Sequence, residues 1–221
     1  PHSCNLKHAK TAKKILDIFE RLAHVTIVHS PVEATNGRFY VPHPLYPAIQ
    51  NIIKSKDNNR FVIFGSISRY KKIEKVISEF PEHLSLLVMG KCSDSTYLEE
   101  LNILIKAKNN IEILSEYISD EKAQELIMSS AGMLITHNDD DMIVSGSFFY
   151  AISIGSKVFV LKTPFFEWAC NQLGNTYVQQ LDDIKSLYFI NTKVNSDRVS
   201  IMPEVLFGDS IVKNALDKVI H

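Results

Sequence analysis

From residue 61 onward, short apolar runs without polar alternation take turns with segments whose apolar residues recur at helical spacing. FVIFG (61–65) precedes YKKIEKVISEF (70–80), in which Ile73, Val76, Ile77 and Phe80 share one helical face. LSLLVMG (84–90) precedes a helical segment at 94–108, and IEIL (111–114) precedes one at 119–130 with Ser119 as its N-cap. GMLIT (132–136) precedes SGSFFYAISIG (145–155), KVFVL (157–161) precedes 164–174, and TYVQ (176–179) supplies a sixth strand. A strand that is apolar throughout is covered on both faces, and strand–helix repetition implies right-handed crossovers between parallel strands. The pattern predicts an α/β fold: a doubly wound, Rossmann-like parallel sheet of five or six strands over 61–180, inside a domain spanning 44–205.

The flanks read differently. Residues 1–43 hold a helical segment, a strand-like run HVTIVHS (24–30) and the extended, Pro-punctuated RFYVPHPLY (38–46). Pro42 and Pro44 interrupt ladder and helix alike, so 1–43 is expected to be a remnant of a preceding α/β domain with its hinge. The absence of an initiator Met fits a fragment of a longer protein. Residues 206–221 form an amphipathic closing helix.

In a doubly wound sheet, ligands bind at the carboxyl ends of the strands. Four stretches fall there: GSISRYKK (65–72), GKCSDS (90–95), THNDDDMIVSGS (136–147) and LKTPFF (161–166). Arg69, Lys71 and Lys91 offer positive charge, and the amides of Ser145, Gly146 and Ser147 at a helix start offer fixed donors, so a phosphate-bearing ligand is expected. The net charge of −1 lacks the basic excess of a nucleic-acid binder. Cys4, Cys92 and Cys170 have no paired spacing and read as reduced thiols, which places the chain in the cytoplasm. No run reaches the roughly 18 apolar residues of a membrane span. The Asp139–Asp141 run lacks a second ligand cluster, so no metal is expected, and GxGxxG and Walker-type loops are absent.

The order of these segments resembles the C-terminal half of family 4-like glycosyltransferases of GT-B architecture. Tyr70-Lys71-Lys72 is similar to the family's YKG step, Gly90-Lys91 to its GK, and YISDEKAQEL (117–126) to its Y(I/V)xDEExxxL. The stretch 145–161 is similar to its EGxxxxxxEAxAxGxPV element, with Ala151, Ser153, Gly155 and Val158 in phase. LAHVTIVHS and YVPHPLY resemble the last strand of the family's N-terminal, acceptor domain and its interdomain step.

The resemblance implies a nucleotide-sugar donor and no separate cofactor. Lys71 and Arg69 would face the donor diphosphate, and the amides of Ser145, Gly146 and Ser147 would cap it. Gly65, Ser66, Lys91, Tyr117, Ile118, Asp140, Asp141, Met142 and Tyr150 would surround the nucleotide or the sugar. The family's two glutamates fall in register on Met142 and Tyr150, which carry no carboxylate, and Lys72 replaces its usual glycine. No catalytic residue is assigned. The reading is a sugar-transferring fragment whose acceptor is a lipid-linked sugar or polysaccharide, cytoplasmic or peripheral at the inner membrane face. A non-catalytic nucleotide-sugar-binding subunit and an unrelated flavodoxin-like module stand as alternatives.

Overall fold

The computed structural model describes residues 11, 14–15, 18–49, 56–137, 144–190 and 202–220. Six parallel strands form the main sheet: β3 (Asp57–Phe64), β4 (Ser85–Met89), β5 (Ile111–Leu114), β6 (Ser130–Ile135), β7 (Val158–Leu161) and β8 (Val178–Leu181), in the order β5-β4-β3-β6-β7-β8. This is the doubly wound architecture that the apolar runs predict. Its strand order reverses between β3 and β6.

Alternate residues of the same strand feed two cores. Phe61 and Ile63 pack with Ile73, Val76 and Ile77 of α1 (Ile73–Glu79) and with Tyr97 and Leu101 of α2 (Ser95–Ile105). Val62 and Met133 point to the other face, toward α3 (Asp120–Met128), α4 (Gly146–Ser153) and α5 (Pro164–Leu173). Phe148, Phe149, Phe165 and Phe166 all lie at 2% exposure or less, so they act as packing. At roughly 1.5–3 kcal/mol for each buried aromatic, they fix α4 and α5 against the sheet.

Three boundaries depart from the sequence reading. The helical run 70–80 is broken: a 3-10 turn, Arg69–Lys71, ends at Lys72 in a left-handed conformation (φ 52°), and α1 starts after it. The closing helix is two helices, α6 (Pro203–Phe207) and α7 (Asp209–Ile220). They are divided at Gly208, where a Cβ would lie 2.5 Å from the Glu204 carbonyl oxygen. The sixth strand sits two residues later than expected, at β8.

The segments 24–30 and 38–46 supply β1 (Thr26–Val28) and β2 (Arg38–Tyr40), which pair with each other in parallel as a separate two-stranded sheet. A connector then crosses to the main sheet. His43 stacks on Phe149 at 4.4 Å, and the Tyr46 amide donates to Ser153 Oγ at 2.8 Å. Gln124 holds both sides of the next turn: Oε1 accepts from the Ile49 amide at 2.8 Å, and Nε2 donates to the Pro47 carbonyl at 3.1 Å.

Candidate functional site

The order reversal between β3 and β6 opens a crevice at their carboxyl ends, the standard ligand position in such sheets. Three loops meet there. β3 ends at Phe64 and passes through Gly65 (φ 103°) toward the 3-10 turn, which returns Lys71 beneath the loop. Lys71 Nζ donates to the Phe64 carbonyl at 3.1 Å. The carbonyl of Lys71 in turn accepts from Thr136 Oγ1, which ties the turn to the end of β6. Ser147, on the first turn of α4, donates its hydroxyl to the same Phe64 carbonyl at 3.2 Å.

Gly65 is the floor under these groups. A Cβ built on it would lie 3.3 Å from both Lys71 Nζ and Ser147 Oγ. Beside it Gly90 (φ 138°) approaches so closely that its Cβ would fall 2.2 Å from the Gly65 carbonyl oxygen. The end of β4 is thereby locked against the end of β3.

Lys71 is 4% exposed, and no carboxylate among the described residues pairs with it. Burial alone pushes its ammonium down to about 8 from the ordinary lysine value. An ammonium buried without a counter-charge is costly, and an incoming anion would offset that cost.

The start of α4 adds directed donors. Ser145 is the N-cap: its Oγ accepts from the Phe148 amide at 3.3 Å, so the hydroxyl serves the helix itself. The Gly146 and Ser147 amides belong to the first turn, which has no intrahelical acceptor. Gly146 has an ordinary helical backbone, and among the described residues a Cβ there would meet only the Tyr46 hydroxyl, at 3.5 Å. Space, not conformation, is what a glycine provides here.

A cavity of about 460 Å³ extends from this point. Tyr46 and Pro47 of the connector, Asp120 and Glu121 at the start of α3, and Gly146, Ser147 and Tyr150 of α4 line it. The volume lies in the range of small-molecule sites. The Tyr150 hydroxyl lies 3.4 Å from Asp120 Oδ1, and burial, reinforced by that carboxylate, pushes the phenol up to about 12. The cavity therefore has an amide-rich end at the start of α4 and an acidic, aromatic end at Asp120, while Lys71 lines a small adjoining void that shares Phe64 and Ser147 with it.

The other expected residues lie around this centre. Ser66 and Lys91 are exposed on the loops after β3 and β4, Tyr117 is 85% exposed, and Ile118 packs against the core. Arg69 does not join Lys71. Its guanidinium makes bidentate bonds to Glu100 at 2.7 and 2.9 Å, donates to Asp94 at 3.0 Å and lies over the Tyr97 ring. Two carboxylates thus already satisfy the charge that the sequence suggested for a phosphate. Asp140, Asp141 and Met142 lie outside the described residues. Sequence reading missed Tyr46, Asp120 and Thr136. Asp120 reads as helix-start chemistry and Tyr46 as connector, and only the fold brings them to the cleft. Among the described residues, no group of three His, Cys, Asp or Glu is placed to hold a metal ion. None of the helices among the described residues is long and apolar enough to cross a membrane.

No protein-family model matches the chain, and no curated protein matches it in sequence. Solved structures do match it in fold. AviGT4, a glycosyltransferase involved in avilamycin A biosynthesis, superposes with a TM-score of 0.62 at 14% identity, over 88% of this chain and 62% of its own. The lipopolysaccharide outer core galactosyltransferase WaaB gives 0.61 at 12% identity, over 90% and 62%. HepE of Anabaena, solved with UDP and glucose, gives 0.59 at 14% identity, over 94% and 61%. The chain spans about three-fifths of the length of these neighbours. With its six-stranded parallel sheet and order reversal at β3 and β6, the chain has the Rossmann-like fold found in GT-B glycosyltransferases.

Proposed function

We propose that this chain is the donor-binding part of a glycosyltransferase, which takes a sugar from a nucleotide-sugar to an acceptor. The observation that carries the reading is the convergence, at Gly65, of the first turn of α4 and a buried Lys71 that has no carboxylate partner among the described residues. The donor diphosphate lies between Lys71 Nζ and the Gly146 and Ser147 amides, and the nucleoside occupies the cavity toward Asp120 and Tyr150. As the glycosidic bond to the phosphate breaks, negative charge grows on the leaving diphosphate. A preorganised ammonium and helix-end amides stabilise that charge more than they stabilise the intact donor, without the need for a metal. Arg69, held by Glu100 and Asp94, takes no part in this reading.

In the same reading, residues 1–43 are the end of an acceptor-side domain. The acceptor is a lipid-linked sugar or polysaccharide, met in the cytoplasm or at the inner membrane face. HepE, solved with UDP and with UDP-glucose, supports a uridine donor as the first to try.

Calorimetric titration with UDP, GDP and ADP tests the donor site. Micromolar binding of one of them, lost in Lys71→Met, is expected; no binding by the folded protein overturns it. A second reading, a nucleotide-sugar-binding subunit without turnover, is favoured by Tyr150 standing where the resemblance calls for a glutamate. Release of free nucleoside diphosphate from the sugar nucleotide, measured with the full-length protein, separates the two.

A further inference from the structure

The connector between the two sheets enters the cleft, and the donor-binding reading gives it no role. Three side-chain bonds hold it down: Ser153 Oγ on the Tyr46 amide, Gln124 Oε1 on the Ile49 amide and Gln124 Nε2 on the Pro47 carbonyl. Gln124 is 2% exposed, so this clasp is an interior one. Ser153 and Gln124 belong to α4 and α3, the two helices whose N-terminal ends border the cavity. The Tyr46 ring stands edge-on to Tyr150 at 5.7 Å. Its hydroxyl lies over Gly146, 3.5 Å from where a Cβ would be, and makes no hydrogen bond among the described residues.

A tyrosine held only for packing would not need its hydroxyl above the one residue of the α4 start that lacks a side chain. We infer that Tyr46 is a ligand-binding residue: its hydroxyl donates to the anionic group bound at the start of α4, opposite Lys71. Gln124 is the positioning residue that sets the connector so that Tyr46 reaches. Ligand at the α4 start is then bridged to the connector, and through it to the β1–β2 segment. This rests on the donor-site reading, because the anion is the diphosphate proposed there.

The experiment is a double-mutant cycle read by calorimetry, with whichever of UDP, GDP or ADP the wild-type chain binds tightest. Tyr46→Phe keeps the ring and removes the donor, and about a tenfold weaker Kd with an unchanged Tm is expected. Gln124→Ala is expected to weaken binding in the wild-type background and to add nothing in the Tyr46→Phe background. A merely structural glutamine would weaken both backgrounds equally, and that result overturns the positioning role. A Tyr46→Phe protein that binds as wild type does, while Lys71→Met does not, overturns this inference alone. If the wild-type chain binds none of the three diphosphates, the donor-site reading fails and this inference falls with it.

Discussion

Lys71 and Ser147, which stand on different strand–helix crossovers, donate to one and the same acceptor, the Phe64 carbonyl, at 3.1 and 3.2 Å. A carbonyl oxygen has two lone pairs, so both bonds can form, and the two side chains are held side by side at the end of β3. The lysine keeps further N–H donors for a ligand.

Lys71→Met should therefore separate binding from folding. A charged hydrogen bond is worth roughly 1.5–3 kcal/mol, so nucleoside-diphosphate affinity should fall about 10- to 100-fold. Stability to urea should hold or rise, because an apolar chain of similar length replaces a buried ammonium. Calorimetry and urea unfolding on one preparation check both. Unchanged affinity would remove Lys71 from the site.

The pH dependence follows from the same burial. The folded Lys71 loses its proton near 8, whereas in the unfolded chain it does so near the ordinary lysine value of 10.5. Below about 8 both states are protonated, and the burial cost is present in full. Between about 8 and 10.5 the unfolded state binds more protons, so this residue's contribution to stability rises with pH, by up to roughly 3 kcal/mol. Ligand affinity should move the opposite way, weakening above about 8 as the free protein loses the cation. Urea unfolding of wild type and Lys71→Met at pH 7.5 and 9.5 isolates the first effect; proton uptake on diphosphate binding at pH 9 reports the second.

Gly146→Val should abolish diphosphate binding and leave the protein folded. The α4 start has no left-handed backbone at this position, and among the described residues the only neighbour in reach of a Cβ is the Tyr46 hydroxyl at 3.5 Å. The branched side chain fills the space above the amides, and its intrinsic helix cost is below about 1 kcal/mol. Circular dichroism and calorimetry suffice; retained affinity would mean that α4 is only capped by Ser145.

Lys72→Gly is expected to stabilise the chain by about 0.5–1 kcal/mol. Lys72 adopts φ 52°, ψ 41°, a left-handed conformation that costs a side-chain-bearing residue roughly 1–2 kcal/mol, against which stands glycine's larger unfolded entropy. Thermal unfolding measures it. A lower Tm would show that contacts of the Lys72 side chain outweigh the backbone strain.

The main sheet was legible because its strands are apolar on both faces, which sets them apart from the amphipathic helices between them. The sequence also puts Lys71 and the Ser-Gly-Ser step after strands of one sheet, and the fold brings both to the Phe64 carbonyl. The place of Arg69 was not legible: the carboxylates that hold it, Asp94 and Glu100, sit after the next strand, and no local pattern links them to it. The left-handed turn at Lys72 was hidden within an otherwise helical spacing, because periodicity reports side-chain faces and not backbone sign. Tyr46 and Asp120 come together only through the crossing of the connector over α3 and α4, a tertiary event with no sequence signature.

Gly65 and Gly90 join the ends of β3 and β4 through main chain, since each is held at positive φ and a methyl on Gly90 would collide with Gly65. Such a junction keeps the same peptide groups in contact whatever the neighbouring sequence becomes. Point substitution cannot tune it without displacing the strand ends. Any divergence in which compound the cleft accepts must be written at its walls, in the connector and the first turn of α3. If the cleft holds the donor proposed above, re-engineering for a new base or sugar should therefore begin at Tyr46, Asp120 and Tyr150, with the glycine pair treated as invariant.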